Sequence, residues 1–395
     1  MKIEDREAYI VSACRTPLGD FGGAFKDVRA DDLAGVVAVE AVNRAGIEKD
    51  QVEDVIWGEC HQQLDQCNTA RVMSQKVGFP ATIPGVTINK VCTSAMQALI
   101  FGTQVIKLGD ADIILAGGVE AMSSAPMVLR TARWGQRLQH GVMADPVWEG
   151  FTCAVAGIMM GMTAENLAEK YDITREQQDE VALRSQQSAC NAIESGRFKD
   201  EIVPVPVPQR RGDPKMVDTD EHPRAGLKIE DLAKLKTVFK KGGTVTAGNA
   251  SGINDGAAAM VLMSGAKVKE LGLEPMAKVS SYALAAVEAE LMGYGPVPAV
   301  EKMLEKTGLT VDDIDLFEVN EAFAAQYIAC EKLLKLPREK TNVNGSGIAL
   351  GHPVGCTGTR ITVTLLHEMI KRDAKRGIAT LCGMGGVATA IMIER

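Results

Sequence analysis

Several side chains of types that can do chemistry stand at the ends of apolar runs or within glycine-rich loops. Cys92 lies in TINKVCTSAMQALIFGTQVI, where a β-branched run stops abruptly and a helix of small and apolar residues begins. A thiol at such a strand-to-helix turn gains from the partial positive charge of the helix N-terminus, which lowers its pKa and favours the thiolate. Taken alone, a cysteine is more often a small buried hydrophobe, so the turn is what makes Cys92 a nucleophile candidate. His352 is one of five histidines and sits in GHPVG, within NVNGSGIALGHPVGCTG (342–358). The glycines of that stretch let a backbone pass close to something, and the histidine is either a satisfied turn residue or a base. Cys382 closes the apolar run TLC before GMGG, and Asn320-Glu321 follow the strand-like run LFEV. Cys356, four residues past His352, is a candidate by type alone.

The elements that must position these groups come in two sets. AVNRAGIEKDQVEDVIWGE (41–59) and MLEKTGLTVDDIDLFEVNE (303–321) share one pattern. In each, an amphipathic helix ends at glycine (Gly46, Gly308), a short acidic turn follows, and an apolar strand emerges. ADIILAGG (111–118) matches GIATLCGMGG (377–386), and DGAAAMVLMSG (255–265) matches GVATAIMIE (386–394). A repeat this long marks duplicated folding units. The two closing strands are nearly continuous in the second half but lie roughly 130 residues apart in the first, so something is inserted there. That insert carries VPVPVPQRRGDP (203–214) and a helix that opens on a Thr174/Gln177 capping box and stops at Gly196. The expected architecture is α/β, each half a mixed sheet with helices on its faces. The first half covers 1–120 plus 246–276, a loop domain covers 121–245, and the second half covers 277–395. Packed face to face, two such halves bring their strand ends and helix starts toward one shared site.

Composition narrows the class. Apolar residues at 46% and charged residues at 24% are ordinary for a soluble globular protein, and the 395-residue length suggests two or three domains. A net charge of −8 argues against nucleic acid or an anionic membrane as partner, while leaving room for a local basic patch. Nine cysteines without CxxC pairs or a histidine cluster lack metal-site spacing and point to a reduced compartment. The acidic start MKIEDREAYIV is no signal peptide, and no apolar run is expected to reach a membrane span, so the reading is cytoplasmic. Gly117-Gly118 and Gly383–Gly386 do not form GxGxxG, which argues against a dinucleotide site.

Taken together, VCTSA around Cys92, GGVEAMSSAP (117–126), GTVTAGNASGINDGAAA (243–259), NEAFAAQ (320–326), NVNGSGIALGHPVGCTG and the glycine-rich ending at 382–386 resemble the thiolases, in particular the acetyl-CoA acetyltransferases. The resemblance runs over essentially the whole chain in order. It implies two duplicated five-stranded halves with a loop domain in the first. It also implies a reversible Claisen condensation of two acetyl-CoA to acetoacetyl-CoA plus CoA, or the reverse thiolysis, through an acyl-cysteine. A longer-chain 3-ketoacyl-CoA thiolase is the alternative within the fold, and a non-catalytic CoA- or lipid-binding relative the alternative outside it. A decarboxylating ketoacyl synthase does not account for the second cysteine.

By that resemblance Cys92 accepts the acyl group, His352 activates it, and Cys382 moves the α-proton. Asn320 holds a water that, with His352, stabilises the enolate oxygen. No tightly bound cofactor or metal is implied; CoA thioesters are substrates. Ser251 and Ala250 in AGNASG match the pantetheine contact, and Arg224 in DEHPR falls near the adenine and phosphates, with Arg210, Arg211 and Lys228 able to share that task. Met160, Met292 and Phe323 would line the acyl pocket. Two departures stand out. Met159 replaces a histidine common in acetyl-specific relatives, which predicts a roomier or more apolar pocket. Met384 replaces a glycine, which would be costly if that position needed a positive φ. Cys356 then reads as packing. A homotetramer is implied, with the segment around Trp134 as its assembly loop.

Overall fold

Side-chain alternation along the apolar strands decides the layering. In the computed structural model, which describes residues 2–395, the main sheet has ten strands, nine of them in one path: β1 (Ala8–Arg15), β2 (Asp54–Gly58), β3 (Gly85–Ile88), β4 (Ile113–Ala121), β5 (Asn254–Ser264), β6 (Ala277–Ala286), β7 (Leu316–Val319), β8 (Arg376–Gly383) and β9 (Val387–Glu394), while the two-residue Gly19–Asp20 pairs with the start of β5. The first half has the order β3-β2-β4-β5-β1 and the second β7-β8-β9-β6. In both, the outer strands pair parallel (β2 with β3 and β4, β7 with β8) and the inner ones antiparallel. Even the irregularities repeat: register shifts lie between Ile10 and Ser12 in β1 and between Val279 and Ser281 in β6. The fifth position of the second half is a single parallel bridge from Phe317 to Thr341. The halves meet edge to edge where Tyr9 and Ile10 pair with Lys278 and Ala277.

The helices that matter for the site are α1 (Ala30–Arg44), α2 (Ser94–Leu108), α3 (Met160–Lys170), α4 (Arg175–Glu194), α5 (Pro296–Thr307), α6 (Ala324–Leu334) and α7 (Thr357–Arg372). Along β4, Ile113 and Leu115 join an outer core with Leu33 and Val37 of α1, whereas Ile114 and Ala116 join an inner core. The inner core collects Met96 and Leu99 of α2 together with Ile361 and Leu365 of α7. β8 mirrors this, sending Ile378 toward Val300 and Met303 of α5 and Leu381 inward. The result is five layers: helix, sheet, a central helix pair, sheet, helix. Each large aliphatic side chain buried there contributes about 1.5–3 kcal/mol.

Small residues let the central layer close. A Cβ on Gly58 would lie 2.3 Å from the Ala95 amide nitrogen, and one on Gly358 2.4 Å from that of Met96. The beginnings of α2 and α7 are therefore drawn against one another and against β2. The stretch Val91–Leu108 is long and apolar enough to pass for a short membrane span, which corrects the expectation that no run reaches that length. Its apolarity is explained by its place in the central layer.

The duplicated signals form the same local structures. α1 runs to Gly46 (φ 67°) and α5 to Gly308 (φ 68°), and each is followed by a short 3₁₀ turn with a capping box, Glu48/Gln51 and Thr310/Asp313. α4 begins at the Thr174/Gln177 box and ends before Gly196 (φ 70°). The segment between β4 and β5 does more than hang from the first half. Ala164 and Ala168 of α3 and Val181 and Ala182 of α4 share the outer core of the second half with Ala325 and Ile328 of α6. It thereby spans both halves above their strand ends.

Candidate active site

The turn after β3 holds Cys92 under strain. Val91 adopts φ 52°, a left-handed conformation that costs a β-branched residue on the order of 1–3 kcal/mol. Its carbonyl accepts hydrogen bonds from the Ser94 amide (3.0 Å), the Ser94 hydroxyl (2.6 Å) and the Cys60 thiol (3.0 Å). Ser94 Oγ also accepts from the Lys90 amide at 2.8 Å. Four bonds around one turn, three of them to the Val91 carbonyl, hold a conformation that the side chain disfavours, and they present Cys92 just before α2 begins.

His352 reaches the same place from the second half. Its amide donates to Asn254 Oδ1 (3.0 Å) at the start of β5. Gly351, at φ 108°, lies so close to Asn254 that a Cβ would approach to 2.4 Å, so this position takes only glycine. Glu120, fully buried at the end of β4, accepts the Gly355 amide at 2.7 Å and ties the histidine loop to the first half. The ring Nδ1 is 2.7 Å from Thr357 Oγ1, and that hydroxyl lies 2.8 Å from the Pro353 carbonyl. Asn320, at the end of β7, has its amide nitrogen 3.5 Å from Nδ1 and its buried Oδ1 without a protein partner. Glu321 faces away from this chemistry: Ser185 Oγ and Asn342 Nδ2 donate to its buried carboxylate, which holds the glycine-rich loop down.

Cys92, Cys382 and His352 line one cavity of about 630 Å³. Ser251, Ala250, Arg224, Met160, Met292 and Phe323 line it too, so nine of the ten residues singled out from the sequence share one wall system and Asn320 stands behind His352. A β-bridge from Ala250 to Phe323 and a bond from the Ser251 amide to the Ala322 carbonyl (2.9 Å) join AGNASG to NEAF. Arg210, Arg211 and Lys228 are exposed and do not line the cavity. Cys356 is buried packing at the start of α7.

Two expectations about titration change. Burial pushes the Cys92 thiol up to about 11, with the amide N–H groups of Met384 and of Cys92 itself pulling against it. Cys382 is also pushed well above the ordinary thiol value, by burial and then by its neighbours Cys92 and Cys330. The short helix-dipole contribution does not overcome desolvation in an apolar pocket, so both rest as thiols and Cys92 is not the low-pKa group its turn predicts. Burial, and then Arg360, depress His352 to about 3, so it rests as a neutral imidazole. Met384 proves compatible with its position: the left-handed residues are Gly385 (φ 82°) and Gly386 (φ 89°), while Met384 keeps a negative φ and aims its N–H at Cys92.

Other lining residues gave little signal. Phe239, packed edge-on against Phe323 at 6.2 Å, lies in the charged stretch FKKGG, where nothing marks it as pocket. His222 stands against Gly252 and pairs with Asp20 at 2.5 Å; its place two residues before Arg224 was the one available clue. Cys60 and His61 were hidden because their loop matches no part of the internal repeat.

A thiol at a helix start, a neutral imidazole, a second thiol and an unpartnered amide oxygen converge where the two halves meet, and known proteins share the chain's sequence and fold. Residues 8–266 match the thiolase N-terminal domain and residues 273–395 the thiolase C-terminal domain. The chain belongs to the thiolase family and is an acyltransferase of that class. It is 53% identical over 394 residues to the acetyl-CoA acetyltransferase of Syntrophomonas wolfei, covering 98% of this chain and 99% of that one. It is 50% identical over 391 residues to the acetyl-CoA acetyltransferase of Pseudomonas aeruginosa, covering 99% and 100%. The crystal structure of the Bacillus anthracis acetyl-CoA acetyltransferase superposes with a TM-score of 0.97 at 54% identity over 98% of both chains. Human mitochondrial 3-ketoacyl-CoA thiolase in complex with CoA does so with a TM-score of 0.95 at 41% identity over 99% of both.

Proposed function

We propose that the protein is an acetyl-CoA C-acetyltransferase that condenses two acetyl-CoA to acetoacetyl-CoA and CoA, or runs the reverse thiolysis, through an acyl group on Cys92. The observation that carries this reading is the convergence of Cys92, Cys382 and His352 on one cavity, with Asn320 behind the histidine. In the first half-reaction His352 Nε2 takes the Cys92 proton as sulfur attacks the thioester carbonyl. The departing CoA sulfur then takes that proton. The amide N–H groups of Cys92 and Met384, already directed at the Cys92 sulfur, are the donors nearest the developing oxyanion. In the second half-reaction Cys382 gives its proton to the neutral His352 and as thiolate removes the α-proton of the incoming acetyl-CoA; the enolate carbon attacks the acyl carbonyl, the bond to the Cys92 sulfur breaks, and the Cys92 thiolate takes the proton back from His352. His352 and a water on Asn320 Oδ1 stabilise the enolate oxygen.

One histidine then has two tasks, base and donor, and Thr357 allows both. With its hydroxyl turned to the Pro353 carbonyl, Thr357 accepts the Nδ1 proton and leaves Nε2 free as a base. With the hydroxyl turned to Nδ1, it donates, and Nε2 carries the proton that an oxyanion requires.

CoA enters along Ser251, Ala250 and Arg224 in this reading, and the human relative that superposes on this chain as a complex with CoA supports it. A broader acyl range is favoured by one feature: Met159, Met160, Met162 and Phe151 make the acyl wall largely apolar. The apolar side chains exposed between 127 and 148, with Trp134 at 90% exposure, support a homotetramer assembled through that segment. Nine unpaired cysteines suit the cytoplasm. Steady-state thiolysis across 3-ketoacyl-CoA chain lengths tests the assignment. Turnover of acetoacetyl-CoA at kcat/KM at least equal to that of longer chains is expected, and failure to turn it over while longer chains react refutes acetyl preference.

A further inference from the structure

Asn254 does more than accept one amide. It is fully buried at the start of β5 and wedged between two loops that face the cavity: a Cβ on Gly351 would meet its Cγ at 2.4 Å, and one on Gly252 its Oδ1 at 2.7 Å. Its Nδ2 donates to the Gly19 carbonyl (3.1 Å) and to Asp20 Oδ1 (3.3 Å), while its Oδ1 accepts the His352 amide (3.0 Å). A carbonyl and a carboxylate accept and do not donate, so the side-chain amide has one workable orientation, and in it the oxygen faces His352. Asp20 is held in turn from the other side. His222 Nδ1 lies 2.5 Å from the same Asp20 Oδ1, Glu221 accepts the Asp20 amide at 3.0 Å, and Asp220 accepts the Leu18 amide at 2.8 Å. His222 and Arg224 line the cavity beside Ser251 and Gly252, along the path by which CoA enters in the reading above. A continuous row of hydrogen bonds therefore leads from His222 through Asp20 and Asn254 to the His352 amide, and every donor in it meets an acceptor.

We propose that Asn254 is a positioning residue for His352, its side-chain amide oriented by Asp20, so that the segment carrying His222 and Arg224 and the loop carrying His352 are set as one unit. The proposal rests on the thiolase reading above. The test exchanges the two polar groups and reads kcat and KM for thiolysis of acetoacetyl-CoA and 3-ketohexanoyl-CoA. Asn254→Asp keeps an acceptor for the His352 amide but turns a second carboxylate toward Asp20, so kcat should fall about tenfold as the histidine shifts. Asp20→Asn combined with Asn254→Asp again sets one amide against one carboxylate, with an oxygen left for His222 and another for the His352 amide. That exchanged pair should be faster than Asn254→Asp alone by about threefold or more, a recovery that independent damage at two sites does not produce. A fall in kcat of less than about threefold in Asn254→Asp, a loss confined to KM, or an exchanged pair that recovers less than about threefold overturns the proposal. Should Asn254→Asp not fold, the exchanged pair should still fold and keep kcat within about tenfold of wild type, and an unfolded or slower exchanged pair overturns the proposal. A wild type that cleaves neither substrate overturns the thiolase reading, and the proposal with it.

Discussion

Cys92 rests as a half-buried thiol, and its reactivity is therefore tied to proton transfer at the moment of attack. Alkylation of free Cys92 by iodoacetamide tracks thiolate, so with a value near 11 its rate should climb about tenfold per pH unit from 7 to 10. A plateau near neutrality would mean a standing thiolate–imidazolium pair instead. His352 is shifted the other way, to about 3. Its base form should persist as pH falls, leaving kcat/KM without an acid limb near 6.5; an acid limb there contradicts the assignment. The same depression means that the His352 contribution to folding is present above pH 6.5 and is lost as pH falls from there toward 3. Thr357→Val removes the hydroxyl but keeps the shape. Loss of both acylation and condensation rates by about tenfold or more is expected, with the pH profile altered; an unchanged profile removes Thr357 from the mechanism.

At the scale of elements, the site depends on a strained turn and on glycine contacts between helices. Val91→Gly relieves a left-handed conformation, worth about 1–2 kcal/mol, against an entropy cost of about 1 kcal/mol. Thermal stability should therefore stay within about 1 kcal/mol of wild type while acylation slows; destabilisation beyond about 2 kcal/mol counts against strain at this turn. Gly358→Ala should cost about 1–3 kcal/mol by forcing α7 from the Met96 backbone, read by denaturant unfolding. Much of this level was legible in the sequence. The paired Gly46 and Gly308 stops, the acidic turns and the strand endings carry local information that the chain states twice. The loop with Cys60 and His61 was not legible, because what brings it to the site is Glu120, a partner 59 and 60 positions away in sequence at the end of β4. Nor were the thiol values, since a helix N-terminus is visible in a sequence and the burial that opposes it is not.

At the scale of the whole molecule, two copies of one sheet unit supply different groups to one cavity. The first half presents Cys92 and the second presents Asn320, His352 and Cys382, while the inserted segment closes the space over both. The division of labour between the two thiols is the central claim, and acyl trapping tests it most directly. Cys382→Ala enzyme incubated with acetyl-CoA, digested and mapped by mass spectrometry should carry one acetyl group on Cys92, with no acetoacetyl-CoA formed. Acetyl on another residue, or condensation at the wild-type rate without Cys382, would contradict it.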